Sequence, residues 1–274
     1  MNSKIFNVDC ITSKANSTIV KIAKLMNKKE RKEEKLFTLD GVKLFLEAYK
    51  FGAKIKYVVL NDNASFNSEI VDKINDLKTK NTAILCVNEA VFSKLTEENA
   101  PQGIITVCEF LDNHSFSTKI DNVSSKEKII VLESLRDPGN VGAVLRNAAA
   151  FGIDRIVLSS DCADIYSQKV LRSAMGAIFK VKIDIVANLV DAIGDLKAMG
   201  RRVIATTLRD NSIRLSKGTV FASDVFVIGN EGHGVSEEVI YASDETMFIP
   251  MCENTESLNA SVAAAILMWE LFNL

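Results

Sequence analysis

Short continuous apolar runs alternate along this chain with longer stretches whose apolar positions recur at helical spacing. Over residues 1–110 the segments Ile55–Leu60, Thr82–Val87 and Gly103–Phe110 read as strands, and Asp40–Lys50 and Glu69–Leu77 as helices, which predicts a small α/β domain. Residues 111–126 then turn polar, with Asp112, Asn113, Ser115, Ser117, Asn122, Ser124 and Ser125 close together, and read as a linker. From Lys128 the alternation restarts. Ile129–Leu132, Arg155–Leu158, Arg202–Thr206, Val225–Ile228 and Met247–Ile249 are rich in Val and Ile, while Val141–Phe151, Ser167–Phe179, Leu189–Met199 and Leu258–Phe272 have the helical pattern. Strands apolar on both faces and separated by helices predict a buried, mostly parallel sheet flanked by helices. Ligands of such sheets bind beyond the carboxyl ends of the strands, so chemistry is expected in the loops after Leu132, Ile228 and Ile249.

Composition narrows the class. With 274 residues, 47% apolar and 25% charged, the chain has the balance of a globular protein large enough for two domains. The longest apolar tract, Ala260–Trp269, is broken by Ser261, too short and too mixed to span a membrane. The polar start, Met1–Cys10, offers no apolar core for a signal peptide. Cys10, Cys86, Cys108, Cys162 and Cys252 are scattered without CxxC spacing, and His114 and His233 lack partner ligands, so neither a disulfide framework nor a metal site is expected and a reducing cytoplasm is. Net charge is −2, but residues 1–50 hold eleven basic against six acidic side chains, +5, leaving −7 on the rest. A basic start on an acidic chain suggests a polyanionic partner, or simply a solvated helix face across Lys21–Lys35.

Three segments at the expected strand ends carry polar chemistry. The first runs from Glu133 through Asn140 and Arg146 to Gly152. Asn140 reads as the cap of a helix from Val141, whose stripe Val141, Val144, Leu145 and Ala148 leaves Arg146 pointing away. The second, Gly229-Asn230-Glu231-Gly232-His233-Gly234, follows a buried strand; its glycines allow the backbone close to a ligand, yet it is neither GxGxxG nor a P-loop. The third, Ile249-Pro250-Met251 through Ser257-Leu258-Asn259, leads into a helix apolar nearly all round, which needs cover from the core or another subunit. Taken singly, each segment also fits a capped helix or a tight turn.

Their order and spacing closely resemble the three signature motifs of the SpoU (TrmH) family of RNA ribose 2′-O-methyltransferases, within the SPOUT superfamily. The match is carried by Asn140, Gly142, Arg146, Ala148, Phe151 and Gly152; by Gly229, Glu231 and Gly234; and by Ile249, Pro250, Met251, Ser257, Leu258, Asn259 and Ser261. Residues 1–110 are similar to the L30e-like substrate-binding domain of that family, best over Leu36–Ala48. Two positions depart from the pattern: Glu253 stands where the family usually has Gly, and Ala260 where Val often follows the motif Asn. Glu resists backbone angles open to Gly.

The resemblance implies an L30e-like domain over 1–110, a linker over 111–126 and a SpoU methyltransferase domain over 127–274, tied in a trefoil knot. It implies S-adenosylmethionine as cofactor, bound by Gly229, Ile249, Met251 and Leu258, with Leu208 a lesser candidate. It makes Arg146 the central catalytic residue, with Asn140, Glu231, Ser257 and Asn259 around it. A guanidinium, whose pKa exceeds about 12 in general, suits gripping the target phosphate and polarising the 2′-hydroxyl better than acting as base. It further implies a cytoplasmic homodimer, with the last helix at the interface, acting on RNA. Lys14, Lys21, Lys28, Lys29, Arg31, Lys32 and Lys35 are candidate contacts. Ribosomal RNA of the large subunit suits the two-domain layout better than transfer RNA. Outside that reading stand a non-catalytic RNA-binding module of the same fold and an unrelated nucleotide-binding oxidoreductase or kinase.

Overall fold

Apolar runs joined by capped helices build two sheets, one in each of two compact units. The computed structural model describes residues 1–117, 119–252 and 257–274, so the expectation about Glu253 lies outside the described residues. Met1–Leu111 and Tyr166–Phe179 form the first unit, Asp112–Ile165 and Lys180–Leu274 the second.

In the first unit β1 (Cys10–Ile11), β2 (Leu36–Asp40), β3 (Ile55–Asn61), β4 (Ala83–Val87) and β5 (Ile104–Glu109) make a sheet of order β1-β4-β3-β5-β2. β3 and β4 are parallel, and β5 is antiparallel to β3 and β2. Around it lie α1 (Asn2–Phe6), α2 (Ser17–Lys24), α3 (Lys28–Glu34), α4 (Val42–Lys50), α5 (Ser68–Thr79) and α6 (Glu89–Phe92). Side-chain oxygens of Asn16, Asn27, Asn67 and Asn88 accept backbone N–H groups of the first turns of α2, α3, α5 and α6, donors the helices cannot satisfy themselves. Alternate residues bury opposite faces of the sheet. Val58, Leu60 and Ile104 pack with Phe45, Ile70 and Ile74; Val59 and Ile105 pack with Ile19, Ile22 and Phe92. The helix expected from Asp40 begins at Val42, because Leu36–Asp40 is a strand and Gly41, at φ +96°, turns the chain. Arg31 is 5% exposed and donates to the Leu25 and Met26 carbonyls at 2.7 Å each. It braces the α2–α3 turn and is removed from the expected RNA contacts.

The second unit holds β6 (His114–Ser117), β7 (Ile129–Leu132), β8 (Arg155–Ser159), β9 (Lys182–Val186), β10 (Arg202–Thr206), β11 (Ile213–Arg214), β12 (Asp224–Ile228) and β13 (Glu245–Phe248). Their order is β11-β13-β10-β12-β7-β8-β9-β6, with parallel pairing throughout. The helices of this half of the sequence are α7 (Pro138–Ala150), α8 (Gln168–Ala174), α9 (Leu189–Ala198), α10 (Glu237–Ala242) and α11 (Ala260–Phe272). α8 belongs to the first unit, where the Tyr166 ring stacks on Phe110 at 4.1 Å and its hydroxyl accepts the Leu111 N–H at 2.9 Å.

Two elements differ from the sequence reading for one reason. The polar segment 111–126 contains β6, paired with β9, and is not a plain linker. β9 itself is interrupted by Asp184, which hides its apolar run. Asp184 is tolerated because the Arg155 guanidinium, 1% exposed, pairs with it and with Glu127 at 2.6 Å. Ser115 of β6 also hydrogen-bonds Asp184.

Candidate active site

Parallel order brings the carboxyl ends of β13, β10, β12 and β7 side by side along one edge of the second unit. Leu132 lies opposite Ile228, Val227 opposite Ala205, and Thr206 opposite Met247, so the three polar segments leave the sheet as neighbours.

The first, Glu133–Asp137, contains Ser134 at φ +50°, a left-handed conformation costly for a residue with Cβ. All its polar groups are engaged. Its N–H donates to Ser159 Oγ at 2.8 Å, its hydroxyl donates to Asp161 Oδ2 at 2.6 Å, and its carbonyl accepts from Asn230 Nδ2 at 2.7 Å. Asp137, not Asn140, caps α7: its carboxylate accepts the Asn140 N–H at 2.9 Å, with Pro138 at the first helical position. Proline lacks the N–H that would be orphaned there and is preset for helix, which moves the start three residues upstream of the expected Val141. Asn140 therefore lies within the first turn, and its side chain serves the site. Gly139, in the first turn of α7, is ordinary helix.

The second loop is closed by reciprocal bonds between Asn230 and Gly234, each 2.9 Å. Asn230 Oδ1 also accepts the N–H groups of Gly232 at 2.8 Å and His233 at 3.3 Å. A Cβ on Gly229 would lie 2.2 Å from the Gly234 carbonyl carbon, so only glycine lets the loop fold back this closely. Asn230, whose amide ties this loop to Ser134, is the positioning residue that sequence reasoning missed. Its bonds are to backbone, and its signal was only its place between Gly229 and Glu231.

Glu231 then reaches the first loop. Its Oε1 accepts Asn140 Nδ2 at 3.0 Å and the Asp137 N–H at 3.2 Å. Partial burial works to raise its carboxyl, but hydrogen bonds from Asn140 and from backbone N–H groups outweigh it and hold the group below its ordinary value. Its seat at the start of α7 adds a favourable helix dipole. From the third segment Asn259 donates through Nδ2 to Asn140 Oδ1 at 3.0 Å, while its own Oδ1 caps α11 by accepting the Ser261 N–H at 2.9 Å and hydroxyl at 2.6 Å. Both amides are thereby oriented: Asn140 must offer NH2 to the carboxylate and oxygen to Asn259. The line Glu231–Asn140–Asn259 fastens three loops at one edge.

Arg146 lies on α7, exposed, and makes no hydrogen bond or ion pair among the described residues. Ser257 is exposed, two residues before Asn259, and is not joined to this line. At the same strand ends Gly229 is buried, Ile249 and Leu258 are half-buried, and Met251 and Leu208 are 41% and 71% exposed. Apolar side chains left open beside main-chain loop groups suit an adenosyl moiety, whose faces are apolar and whose edge needs main-chain donors and acceptors. Among the described residues, no group of three or more His, Cys, Asp or Glu is placed to hold a metal ion, and no helix is long and apolar enough to cross a membrane.

Residues 127–269 match the SpoU rRNA Methylase family and residues 16–106 the MRM3-like substrate binding domain. The chain is 32% identical over 263 residues to 23S rRNA (guanosine(2553)-2′-O)-methyltransferase RlmP of Bacillus subtilis (strain 168), covering 95% of this chain and 98% of that protein. It is 30% identical over 236 residues to a putative TrmH family tRNA/rRNA methyltransferase of Staphylococcus epidermidis, covering 82% and 91%. The crystal structure of an AdoMet-bound rRNA methyltransferase from Sinorhizobium meliloti superposes with a TM-score of 0.83 at 27% identity, over 97% of each chain.

Proposed function

The chain belongs to the SpoU rRNA methylase family, and from that premise and the geometry of the three loops we propose how it works and on what. It is an S-adenosylmethionine-dependent methyltransferase acting on ribose 2′-hydroxyls of RNA. Its substrate, in this reading, is 23S ribosomal RNA, the substrate named for the Bacillus subtilis relative. The observation that carries the assignment of roles is the Glu231–Asn140–Asn259 line, with Arg146 exposed on the helix that holds Asn140.

Gly229, Ile249, Met251 and Leu258, with Leu208 from the preceding strand end, would hold the cofactor largely through backbone groups and apolar contact. Bound there, S-adenosylmethionine supplies an activated methyl group. The protein's task is to align the ribose and dispose of one proton. Alignment of two centres lowers a barrier by about 7–11 kcal/mol when geometry is near-attack. Arg146 grips a phosphate of the target nucleotide and draws electron density from the 2′-hydroxyl, whose proton passes to a phosphate oxygen or to water. Asn140, oriented from both sides, and Ser257 contact the ribose. Glu231 and Asn259 fix Asn140 and with it the floor on which the sugar rests. In the same reading the second unit carries the trefoil knot of the family.

The same reading includes a cytoplasmic homodimer. Val262, Trp269 and Phe272 of α11 are 46%, 49% and 50% exposed, and Phe151 meets Trp269 edge-on at 5.8 Å, an apolar face that supports a second copy as its cover. Incubation of the purified protein with methyl-labelled S-adenosylmethionine and protein-free large-subunit ribosomal RNA tests the reading. Label should enter RNA with wild-type protein and not with Arg146→Ala. Equal incorporation by both would remove Arg146 from the mechanism.

A further inference from the structure

A second arginine stands at the same edge. Arg136 lies in the first loop, between Ser134 and Asp137, and directly precedes the residue whose N–H binds Glu231 Oε1 at 3.2 Å. Its side chain is 72% exposed, and its one ion pair among the described residues is to Asp161 at 3.4 Å. That pair is loose by comparison with the other bonds of the same carboxylate: Asp161 takes the Ser134 and Ser159 hydroxyls at 2.6 Å each. Desolvation works to raise Asp161, but hydrogen bonds from Ser134, Ser159 and Arg136 prevail and hold it below its ordinary value. The carboxylate is therefore a fixed, ionised post, anchored by two serines whose own places are set by the strained Ser134 turn and the end of β8. An exposed pair of this kind contributes little to stability. Its effect is to keep a long, mobile cation on the lip of the site while leaving its donors open.

We propose that Arg136 is a substrate-binding residue, gripping a phosphate of the RNA strand that flanks the target nucleotide, with Asp161 as its positioning residue. The proposal rests on the RNA methyltransferase reading. RNA adds a phosphate on each side of every ribose, so a site with one arginine for the reacting nucleotide leaves the neighbouring phosphate uncompensated. A guanidinium offers planar paired donors to phosphate oxygens and exchanges a weak surface carboxylate partner readily. Arg136 meets that need from the loop, as Arg146 does from the helix.

Salt dependence of RNA binding separates this role from a structural one, because each phosphate contact on a single strand contributes about 0.7 to the slope of log K against log salt. With protein-free 23S ribosomal RNA as probe, Arg136→Ala should lower that slope by about one contact and raise the RNA KM more than it lowers kcat. Affinity for S-adenosylmethionine, measured calorimetrically without RNA, should stay within about twofold. Arg136→Lys, keeping the charge, should restore the slope. Asp161→Asn, which leaves the charge on Arg136 but loosens its post, should raise the RNA KM with the slope intact. An unchanged slope and KM in Arg136→Ala, or an Arg136→Lys protein as impaired as Arg136→Ala, would overturn the proposal. Absence of methyl transfer by the wild-type protein would instead defeat the underlying reading, and the binding slopes would still decide whether Arg136 meets RNA.

Discussion

Gly229→Ala isolates the close backbone approach on which the second loop depends. The added Cβ would stand 2.2 Å from the Gly234 carbonyl carbon and 2.3 Å from both its oxygen and the Val235 nitrogen, all backbone atoms, where real Cβ atoms essentially never come within 3.0 Å. Gly234 must withdraw, and its two 2.9 Å bonds with Asn230 go with it. Overpacking of this kind costs roughly 1–3 kcal/mol, and each lost hydrogen bond about 0.5–1.5 kcal/mol. A total near 2–6 kcal/mol lowers the melting temperature by roughly 3–10 °C for a chain of this size. If only about 1.4 kcal/mol of it reaches the cofactor loop, affinity falls tenfold. Calorimetric titration with S-adenosylmethionine, paired with a thermal melt, is the assay. Gly232→Ala is the control, since its Cβ meets only Asn230 Oδ1 at 3.5 Å, an ordinary contact, and its effect should stay within about 0.5 kcal/mol. A Gly229→Ala protein with wild-type melting and cofactor affinity within twofold would refute the reasoning.

Other outcomes follow from the same geometry. Asn230→Ala should weaken cofactor binding and methyl transfer together, because it frees the second loop from Ser134, and a titration beside a turnover assay reads both. Hydrogen bonds hold the folded-state Glu231 below its ordinary 4.5, so its stabilisation is complete above about pH 4.5 and is lost as pH falls through the lower folded value. Glu231→Gln should flatten that acid limb in melts run from neutral to acid pH. Gly194 sits mid-helix in α9 with open space around its Cβ position, so Gly194→Ala should stabilise by about 0.5–1 kcal/mol without touching turnover. If the proposed homodimer is covered by α11, Trp269→Glu should shift sedimentation from dimer to monomer; a wild-type dimer left unchanged by the substitution would remove α11 from the interface.

The strands and their order of chemistry were legible because buried parallel strands are apolar on both faces, as in Ile129–Leu132 and Val225–Ile228. β9 was not, because Asp184 breaks its run and is explained only by the distant Arg155. Nor was β6, whose polar residues pair with β9 at the sheet margin. At the site, the motif residues could be listed from sequence, but not their partners. Asp137 displaced Asn140 as helix cap, and that one shift is what frees Asn140 to bridge Glu231 and Asn259. The bond from Asn230 to a backbone carbonyl nearly a hundred residues away in sequence leaves no trace in local pattern. The α8 segment, read as part of the second domain, packs with the first because Tyr166 stacks on Phe110, a long-range pairing that periodicity cannot disclose.

The most direct test is chemical. Protein-free 23S ribosomal RNA, incubated with this protein and methyl-labelled S-adenosylmethionine, is hydrolysed in alkali and the digest is separated by size. A methylated 2′-oxygen cannot attack the adjacent phosphate, so the label should remain in an alkali-stable dinucleotide from one position in the RNA. Label released in mononucleotides, or none incorporated, would contradict the account.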